Sequence, residues 1–222
     1  MRAPFSLTGT TDRERVPFGQ NRLLQGLALG YFAIWTVGAI DPVYPFDWFL
    51  ENLLVVALAL LLVVTGRLYQ LSDVSYLLIF AFLCFHTLGA HFTYAEVPLG
   101  YWLQEAWSLP RNPYDRVVHF LFGLLFYYPL KDVLSGSAGL RGGWLVTMTL
   151  CVLLAASVLY EIIEWIVALL VQPEAAYAYL GTQGDPFDAQ KDSALAAAGA
   201  VLAAVVTAGW RRLGPASRRP LP

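Results

Sequence analysis

A long uninterrupted apolar run limits this chain more than any other feature of its sequence. After Glu51, the stretch that ends at residue 65 is nearly all Leu, Val and Ala. A helix needs about 20 such residues to cross the hydrocarbon core of a bilayer. The whole chain suits that setting, because 58% of its 222 residues are hydrophobic and only 14% are charged, whereas a soluble domain carries about 25% charged residues. The sequence therefore predicts a polytopic membrane protein.

Apolar runs of this kind recur along the chain, separated by polar or proline-containing links. Their continuity favours helices, because the strands of a membrane β-barrel alternate apolar and polar residues. The predicted fold class is an all-α membrane protein, a six-transmembrane-helix bundle. The predicted spans lie at about residues 22–40, 48–65, 74–92, 114–133, 143–171 and 188–210 of a single domain, 22–210. A tail of residues 1–21 precedes this domain, and a basic tail of residues 211–222 follows it.

Arginines and lysines predict the orientation of the bundle, since they concentrate in cytoplasmic loops. The two tails and the two links on their side of the membrane hold most of them: Arg2, Arg13, Arg15, Arg22, Arg67, Lys131, Arg141, Arg211, Arg212, Arg218 and Arg219. The opposite side has Arg111, Arg116 and Lys191. An even number of spans places both termini on one side, so we predict that both are cytoplasmic.

Two carboxylates, Glu161 and Glu164, interrupt the fifth run in its second half. They are three residues apart and therefore share a helix face, and a charge inside a span is costly unless it meets partners or water. The predicted topology places them at the outer membrane boundary, at the level of further acids and of all three histidines: Glu51, His86, His91, Glu96, Asp115, His119, Asp185, Asp188 and Asp192. We expect helix packing to bring several of these side chains together.

This set of side chains predicts a site for a divalent metal ion, because carboxylates bind hard cations and imidazole extends the choice to Zn²⁺ or Mn²⁺. The candidate ligands are His119, Glu161, Glu164, Asp188, Asp192 and His91, and the ion could be Zn, Mn or Mg. Asp115 or His86 would act as a base or orient a ligand, and Arg116 or Arg111 would receive an anionic head group. Such a site suits hydrolysis or group transfer on an amphiphilic or lipid-derived substrate.

Other interpretations of the same residues remain open. Without a metal, some of the clustered carboxylates would have to stay protonated, which suits a carrier or sensor of ions or protons. His86 could be a hydrogen-bonding residue between helices, Asp115 or Asp188 could cap a helix, and the whole cluster could serve assembly alone. Nucleic acid is excluded as a partner, because no basic patch with interleaved aromatic residues is present. The expected partner is the lipid bilayer, and the sequence does not indicate an oligomeric state.

Four motifs in fixed order resemble those of one known family. They are His86-x4-His91-Phe-Thr-Tyr-Ala-Glu96, Arg111-Asn-x-Tyr-Asp115-Arg-x-x-His119, Tyr160-Glu161-x-x-Glu164-Trp165 and Gly184-Asp185-x-x-Asp188-x-Gln-Lys191-Asp192. The chain resembles the YjdF-like family of uncharacterised bacterial inner-membrane proteins over residues 22–210. A weaker likeness connects it with VanZ-like membrane proteins, which often have Gln where this chain has Glu164. The first resemblance implies a multi-pass protein of the bacterial inner (cytoplasmic) membrane and indicates which positions matter, but it implies no substrate.

Overall fold

The computed structural model describes residues 6, 7, 9 and 16–213, without the side chains of 174, 175, 177, 178 and 211–213. The regular secondary structure in these residues is helical. Eight α-helices form within these residues: α1 (Arg22–Gly38), α2 (Pro45–Thr65), α3 (Asp73–Phe92), α4 (Pro98–Ala106), α5 (Tyr114–Gly136), α6 (Gly142–Leu170), α7 (Pro173–Leu180) and α8 (Asp188–Leu213). Short 3-10 helices cover Phe18–Gln20 and Tyr94–Glu96. The described residues contain no β-strand, so the predicted all-α class is confirmed.

Five of these helices are long and apolar enough to cross a membrane: α2, α3, α5, α6 and the part of α8 that ends at Trp210. Their outer faces carry exposed aliphatic side chains such as Leu60, Leu61 and Val63 on α2, as expected for surfaces in contact with lipid tails. Helix α1 has 17 residues and is about 25 Å long at 1.5 Å per residue, and it is not among the five. Much of the predicted tails, including Arg2, Arg13, Arg15, Arg218 and Arg219, lies outside the described residues.

Prolines begin helices here more often than the sequence interpretation expected. Helix α2 starts at Pro45, three residues before the predicted span, because the first helical position has no use for an N–H and favours the fixed φ of proline. The polar connections expected at 93–113 and 172–187 contain the short helices α4 and α7, which begin at Pro98 and Pro173. Trp102 of α4 is 63% exposed, and tryptophan is common at membrane–water boundaries.

Small residues bring α5 and α8 into backbone contact. A Cβ added at Gly123 of α5 would lie 1.8 Å from the carbonyl oxygen of Ala196, and one added at Gly199 of α8 would lie 2.1 Å from the carbonyl oxygen of Phe120. Close approach through small residues is a common way of packing helices in membranes. Since the two helices begin at the same end of the bundle, this crossing also decides how close their first turns lie.

At the opposite end of the bundle, Asp132 of α5 connects several segments by hydrogen bonds. Asp132 accepts hydrogen bonds from the Tyr69 hydroxyl at 2.8 Å, the Ser72 amide at 2.8 Å, the Ser75 hydroxyl at 2.9 Å and the Gly9 amide at 3.0 Å. Four donors satisfy both oxygens of the carboxylate, which would otherwise be costly to bury. The group therefore connects α5 to the link between α2 and α3 and to the N-terminal segment.

Candidate functional site

The first turns of α5 and α8 bring two aspartates and a histidine together. Asp115 and His119 are one helical turn apart on α5, and Asp192 follows on α8; the three offer ligand atoms that all lie within 4.8 Å of one another. All three side chains are buried, with Asp192 only 2% exposed. We call these residues the Asp-His-Asp cluster. It lies at the polar end of the bundle, where α3 and α6 end and where α2, α5 and α8 begin.

Glu161 of α6 completes this cluster from the third side. Nε2 of His119 lies 3.5 Å from Oδ1 of Asp115 and 3.5 Å from Oε1 of Glu161. These separations are too long for hydrogen bonds, which have N···O distances of about 2.7–3.2 Å. Oε1 of Glu161 and Oδ1 of Asp192 are both buried without a hydrogen-bond partner in the described part of the chain. The cluster therefore contains polar atoms that face one another and still lack a common partner.

The spacing in the cluster suits a bound cation. Two donor atoms held about 2.1 Å from one ion lie roughly 3.0–3.4 Å apart in octahedral or tetrahedral geometry, close to the 3.5 Å observed on both sides of His119. Buried charges are normally paired or coordinated to a metal. Asp115, His119 and Asp192, whose ligand atoms lie within 4.8 Å of one another, could thus hold a divalent metal ion if the side chains move closer, and Glu161 could add a fourth ligand from the far side of His119.

Glu51 is the most deeply buried acid beside the cluster. It is 1% exposed, and its carboxylate accepts hydrogen bonds from the Tyr160 hydroxyl at 3.1 and 3.4 Å. Glu164 lies near Tyr160 and Glu161 on the same helix. Tyr160 thus connects Glu51 with these glutamates inside the bundle.

His86 is occupied at both ring nitrogens, so neither is left to bind a metal or to act as a base in this arrangement. Nε2 lies 3.3 Å from the carbonyl oxygen of Glu51, and Nδ1 lies 2.6 Å from the hydroxyl of Tyr94. Because a carbonyl oxygen only accepts, Nε2 carries the hydrogen and Nδ1 accepts from Tyr94. This pattern matches the alternative in which His86 joins helices.

His91 also lies away from the Asp-His-Asp cluster. Its Nδ1 donates to the carbonyl oxygen of Gly38 at 3.0 Å, at the end of α1, and its ring packs edge-on against Phe92 at 4.6 Å between centroids. His86 and His91 are five residues apart, which turns them to different faces of α3. The helix continues through both of them, so the two rings cannot face the same site.

Asp188 belongs to an ion-pair network and not to the Asp-His-Asp cluster. It pairs with Arg111 through a very short contact and with Arg116 at 3.5 Å. Arg111 also donates to the carbonyl oxygens of Thr182 at 2.9 Å and Gly181 at 3.1 Å. Both guanidinium groups thus bind protein acceptors, while Nε of each has no hydrogen-bond partner among the described residues. The role of Arg116 or Arg111 in receiving an anionic head group stays a prediction.

Asp185 extends the network to the surface of the loop before α8. Its Oδ2 lies 2.5 Å from Lys191 and 2.5 Å from Arg116. Hydrogen bonds from the Lys191 ammonium, the Phe187 amide and the Arg116 guanidinium lower the pKa of Asp185 to about 2. The carboxylate therefore remains charged and fastens the start of α8 to α5.

A largely apolar cavity of about 240 Å³ opens beside the cluster, between α2, α3, α5 and α6. Its walls are aliphatic and aromatic, and its polar groups are few: His86, Tyr94, Asp115, His119, Ser157 and Tyr160. Binding pockets commonly combine apolar walls with a small number of polar groups. The cavity places a hydrocarbon environment next to the charged groups of the Asp-His-Asp cluster.

Two residues of this region were not predicted as part of it. Tyr94 reaches His86 from the connection after α3, where Thr93 adopts a φ of 55° that no helical periodicity could indicate. Asp47 is 4% exposed on the first turn of α2, and its carboxylate lies beside the side chain of Thr93. Its spacing of four residues from Glu51 was the available signal, because this spacing puts both acids on one helix face.

Comparison with known proteins agrees with this picture of a membrane bundle. The family described as "Predicted membrane protein (DUF2238)" matches residues 23–213. The chain belongs to the DUF2238 family. It is also 38% identical over 162 residues to the inner membrane protein YjdF of Escherichia coli (strain K12), covering 72% of this chain and 77% of that protein. No solved structure matches the chain. The predicted YjdF-like relationship and the location of this DUF2238 protein as a multi-pass protein of the inner membrane are therefore confirmed.

Proposed function

We propose that this protein binds a divalent metal ion at Asp115, His119, Asp192 and Glu161 and uses it in hydrolysis or group transfer on a lipid-derived substrate. The observation that carries the proposal is the convergence of three ligand atoms within 4.8 Å in the Asp-His-Asp cluster. Glu161 supports it, because its unpartnered Oε1 faces the same imidazole.

The donor set restricts the choice of ion. Three carboxylates and one imidazole suit Mn²⁺ or Zn²⁺ and are acceptable to Mg²⁺, whereas an ion that prefers sulfur would find no soft ligand in this set. When bound, such an ion supplies a nucleophilic hydroxide or polarises a carbonyl or phosphoryl oxygen.

The surrounding residues have supporting roles in this proposal. Arg111 holds Asp188 and the loop carbonyls of Gly181 and Thr182, and thereby keeps the first turn of α8 against α5. Tyr160 orients Glu51 through a hydrogen bond and lies beside Glu164. Glu164 in turn lies within hydrogen-bonding reach of Glu161 on α6. The apolar cavity supports a substrate with a hydrocarbon part, because it adjoins Asp115 and His119 and has few polar groups.

We further propose that α1 is a sixth span and that the polar end faces outward. Helix α1 packs along α3 in the same direction, since the end of α1 at Gly38 meets His91 near the end of α3. Its outward side chains Leu29, Phe32 and Val37 are apolar and exposed. Six spans would place both termini in the cytoplasm with Arg67, Lys131 and Arg141, in agreement with the positive-inside rule.

Metal content of the purified protein tests the proposed function. The protein is stripped with a chelator, reloaded with Mn²⁺ or Zn²⁺, and analysed for bound metal per chain. We expect one ion per chain in the wild type and at least tenfold weaker binding in Asp192→Asn, which keeps the shape but loses the charged ligand. The matched control is Asp41→Asn, which changes an exposed aspartate in the loop after α1 at the same end of the bundle and should leave metal binding unchanged. Less than one-fifth of an ion per chain after reloading would refute the site.

A second candidate function rests on the other acids around Glu51. Asp47 and Glu164 each lie near Glu51, and Tyr160 lies beside both Glu51 and Glu164, which suits a non-enzymatic ion- or proton-coupled carrier or sensor. Ion flux into liposomes that depends on Glu164, measured with protein that binds no metal, would favour this function. If Glu161→Gln and Glu164→Gln lower only the thermal stability, the cluster serves assembly.

A further inference from the structure

A second apolar cavity lies on the lipid side of the first. It occupies about 390 Å³ between α1, α2 and α3. Helix α1 packs against α3, and it meets α2 near its end, where Trp35 contacts Trp48 and Asn52. The cavity is therefore a groove between α1 and α2 with α3 as its floor. Because α2 is a candidate span with exposed aliphatic side chains, the groove lies at the level of lipid tails. We call it the α1–α2 groove.

The lining of the groove suits hydrocarbon and offers little to a polar head group. Two of its polar aromatic side chains already have hydrogen-bond partners within the protein. The Tyr31 hydroxyl lies 3.2 Å from the Thr87 hydroxyl, and the Trp35 indole donates to Asn52. The remaining lining is chiefly Leu, Val, Ala, Ile and Phe. A phosphate or sugar would lose its hydration here without new partners.

The groove and the cavity beside the cluster share three side chains. Val55 and Leu58 of α2 and Leu83 of α3 line both of them. None of the three is fully buried, so each has open space beside it and the partition is one side chain thick. Aliphatic side chains change rotamer readily where packing is incomplete. The seam between α2 and α3 is thus a thin barrier between the lipid phase and the space next to His119.

We propose that the α1–α2 groove is the lateral entrance through which one hydrocarbon chain of a bilayer lipid reaches the cavity beside His119. The occupant is a lipid chain because a protein helix, which is about 10–12 Å wide, could not continue past Val55, Leu58 and Leu83 between packed helices. This inference deepens the proposed function, since it names the part of the substrate that the apolar cavity receives.

Photocrosslinking in vesicles tests this entrance without any assay of activity. The protein is reconstituted in phosphatidylethanolamine–phosphatidylglycerol vesicles that contain a phospholipid with a diazirine near the end of one acyl chain. We expect crosslinks on the cavity wall at Ser157 of α6, which is 2% exposed, in addition to those on the lipid-facing surface. Leu58→Trp should reduce the crosslinks at Ser157 at least fivefold by filling the barrier, whereas Leu58→Ala should increase them.

The matched control is Leu61→Trp, the same substitution three residues later on α2. Leu61 is 57% exposed and lines neither cavity, so crosslinks at Ser157 should not change. Absence of these crosslinks in the wild type would overturn the proposal, as would equal crosslinking in Leu58→Trp, since the chain would then enter from the polar end. If Leu58→Trp does not fold, an unchanged Leu58→Ala overturns it equally.

Metal content in the same preparations separates this proposal from the proposed function. Leu58 packs against the buried apolar side chains of Tyr69, Leu71 and Ile79, so Leu58→Trp should bind metal like the wild type. Crosslinking that responds to Leu58 in a protein without metal would retain the lateral entrance and reject the metal site. Metal binding without crosslinks at Ser157 would retain the metal site and reject the lateral entrance.

Discussion

A single methyl group at the crossing of α5 and α8 should disturb both the packing and the site. In Gly123→Ala, the new Cβ would lie 1.8 Å from the carbonyl oxygen of Ala196 and 2.8 Å from the amide of Ala200. Both atoms belong to backbone, so no side chain can move aside. The helices would have to separate by roughly 1.5 Å or more to reach an ordinary contact of about 3.5 Å.

The expected cost of this separation exceeds the gain in helix propensity. Overpacking costs about 1–3 kcal/mol, and the strain here is at the upper end because two backbones meet. Replacing Gly by Ala inside a helix stabilises the helix by about 1 kcal/mol. We therefore expect a net loss of stability, seen as a lower apparent Tm in detergent. Gly209→Ala on α8 is the matched control, because nothing lies within 4 Å of its new Cβ, and its Tm should stay the same or rise.

The same substitution should also weaken metal binding if the proposed site exists. Gly123 lies one turn beyond His119 on α5, and Ala196 lies one turn beyond Asp192 on α8. A separation of more than 1 Å is several times the ±0.2 Å within which metal–ligand distances are held, so metal affinity should fall at least tenfold. If Gly123→Ala and Gly209→Ala share one Tm and one metal affinity, our account of how the crossing positions the cluster is wrong.

Two further predictions concern the ends of the bundle. Asp132→Asn should lower the free energy of unfolding by about 2–3 kcal/mol, because an amide nitrogen replaces an oxygen that accepts from buried donors. Thermal melts measure this loss. A change below 0.5 kcal/mol would contradict the role of Asp132 in joining α5 to Ser72 and Ser75. Asp185→Asn should lower the Tm equally at every pH from 5 to 8. The pKa of Asp185 is lowered to about 2. The stability that its ion pairs contribute is therefore complete above its unfolded pKa near 4 and is lost only as the pH falls toward 2. A Tm difference that grows between pH 5 and 8 would contradict this prediction.

Much of the architecture could be predicted from hydropathy alone. In lipid, every backbone polar group must be satisfied within the protein, so a continuous apolar run becomes a helix almost regardless of what packs around it. This is why the runs at 48–65, 74–92 and 143–171 correspond closely to α2, α3 and α6. The helices α4 and α7 were not predicted, because a short segment at the membrane surface can satisfy its backbone with water and leaves no comparable signal.

The polar residues divide in the same way. The sequence by itself determined that acids and histidines collect at one end of the helices, because their positions along each helix depend only on counting residues from the span boundaries. Which of them meet was decided by helix rotation and crossing, which depend on close contacts such as those of Gly123 and Gly199. Tertiary structure therefore joined Asp115, His119, Asp192 and Glu161 and turned His91 toward Gly38. The tertiary structure also pairs Asp188 with Arg111, because only the folded chain brings the loop before α8 against the start of α5.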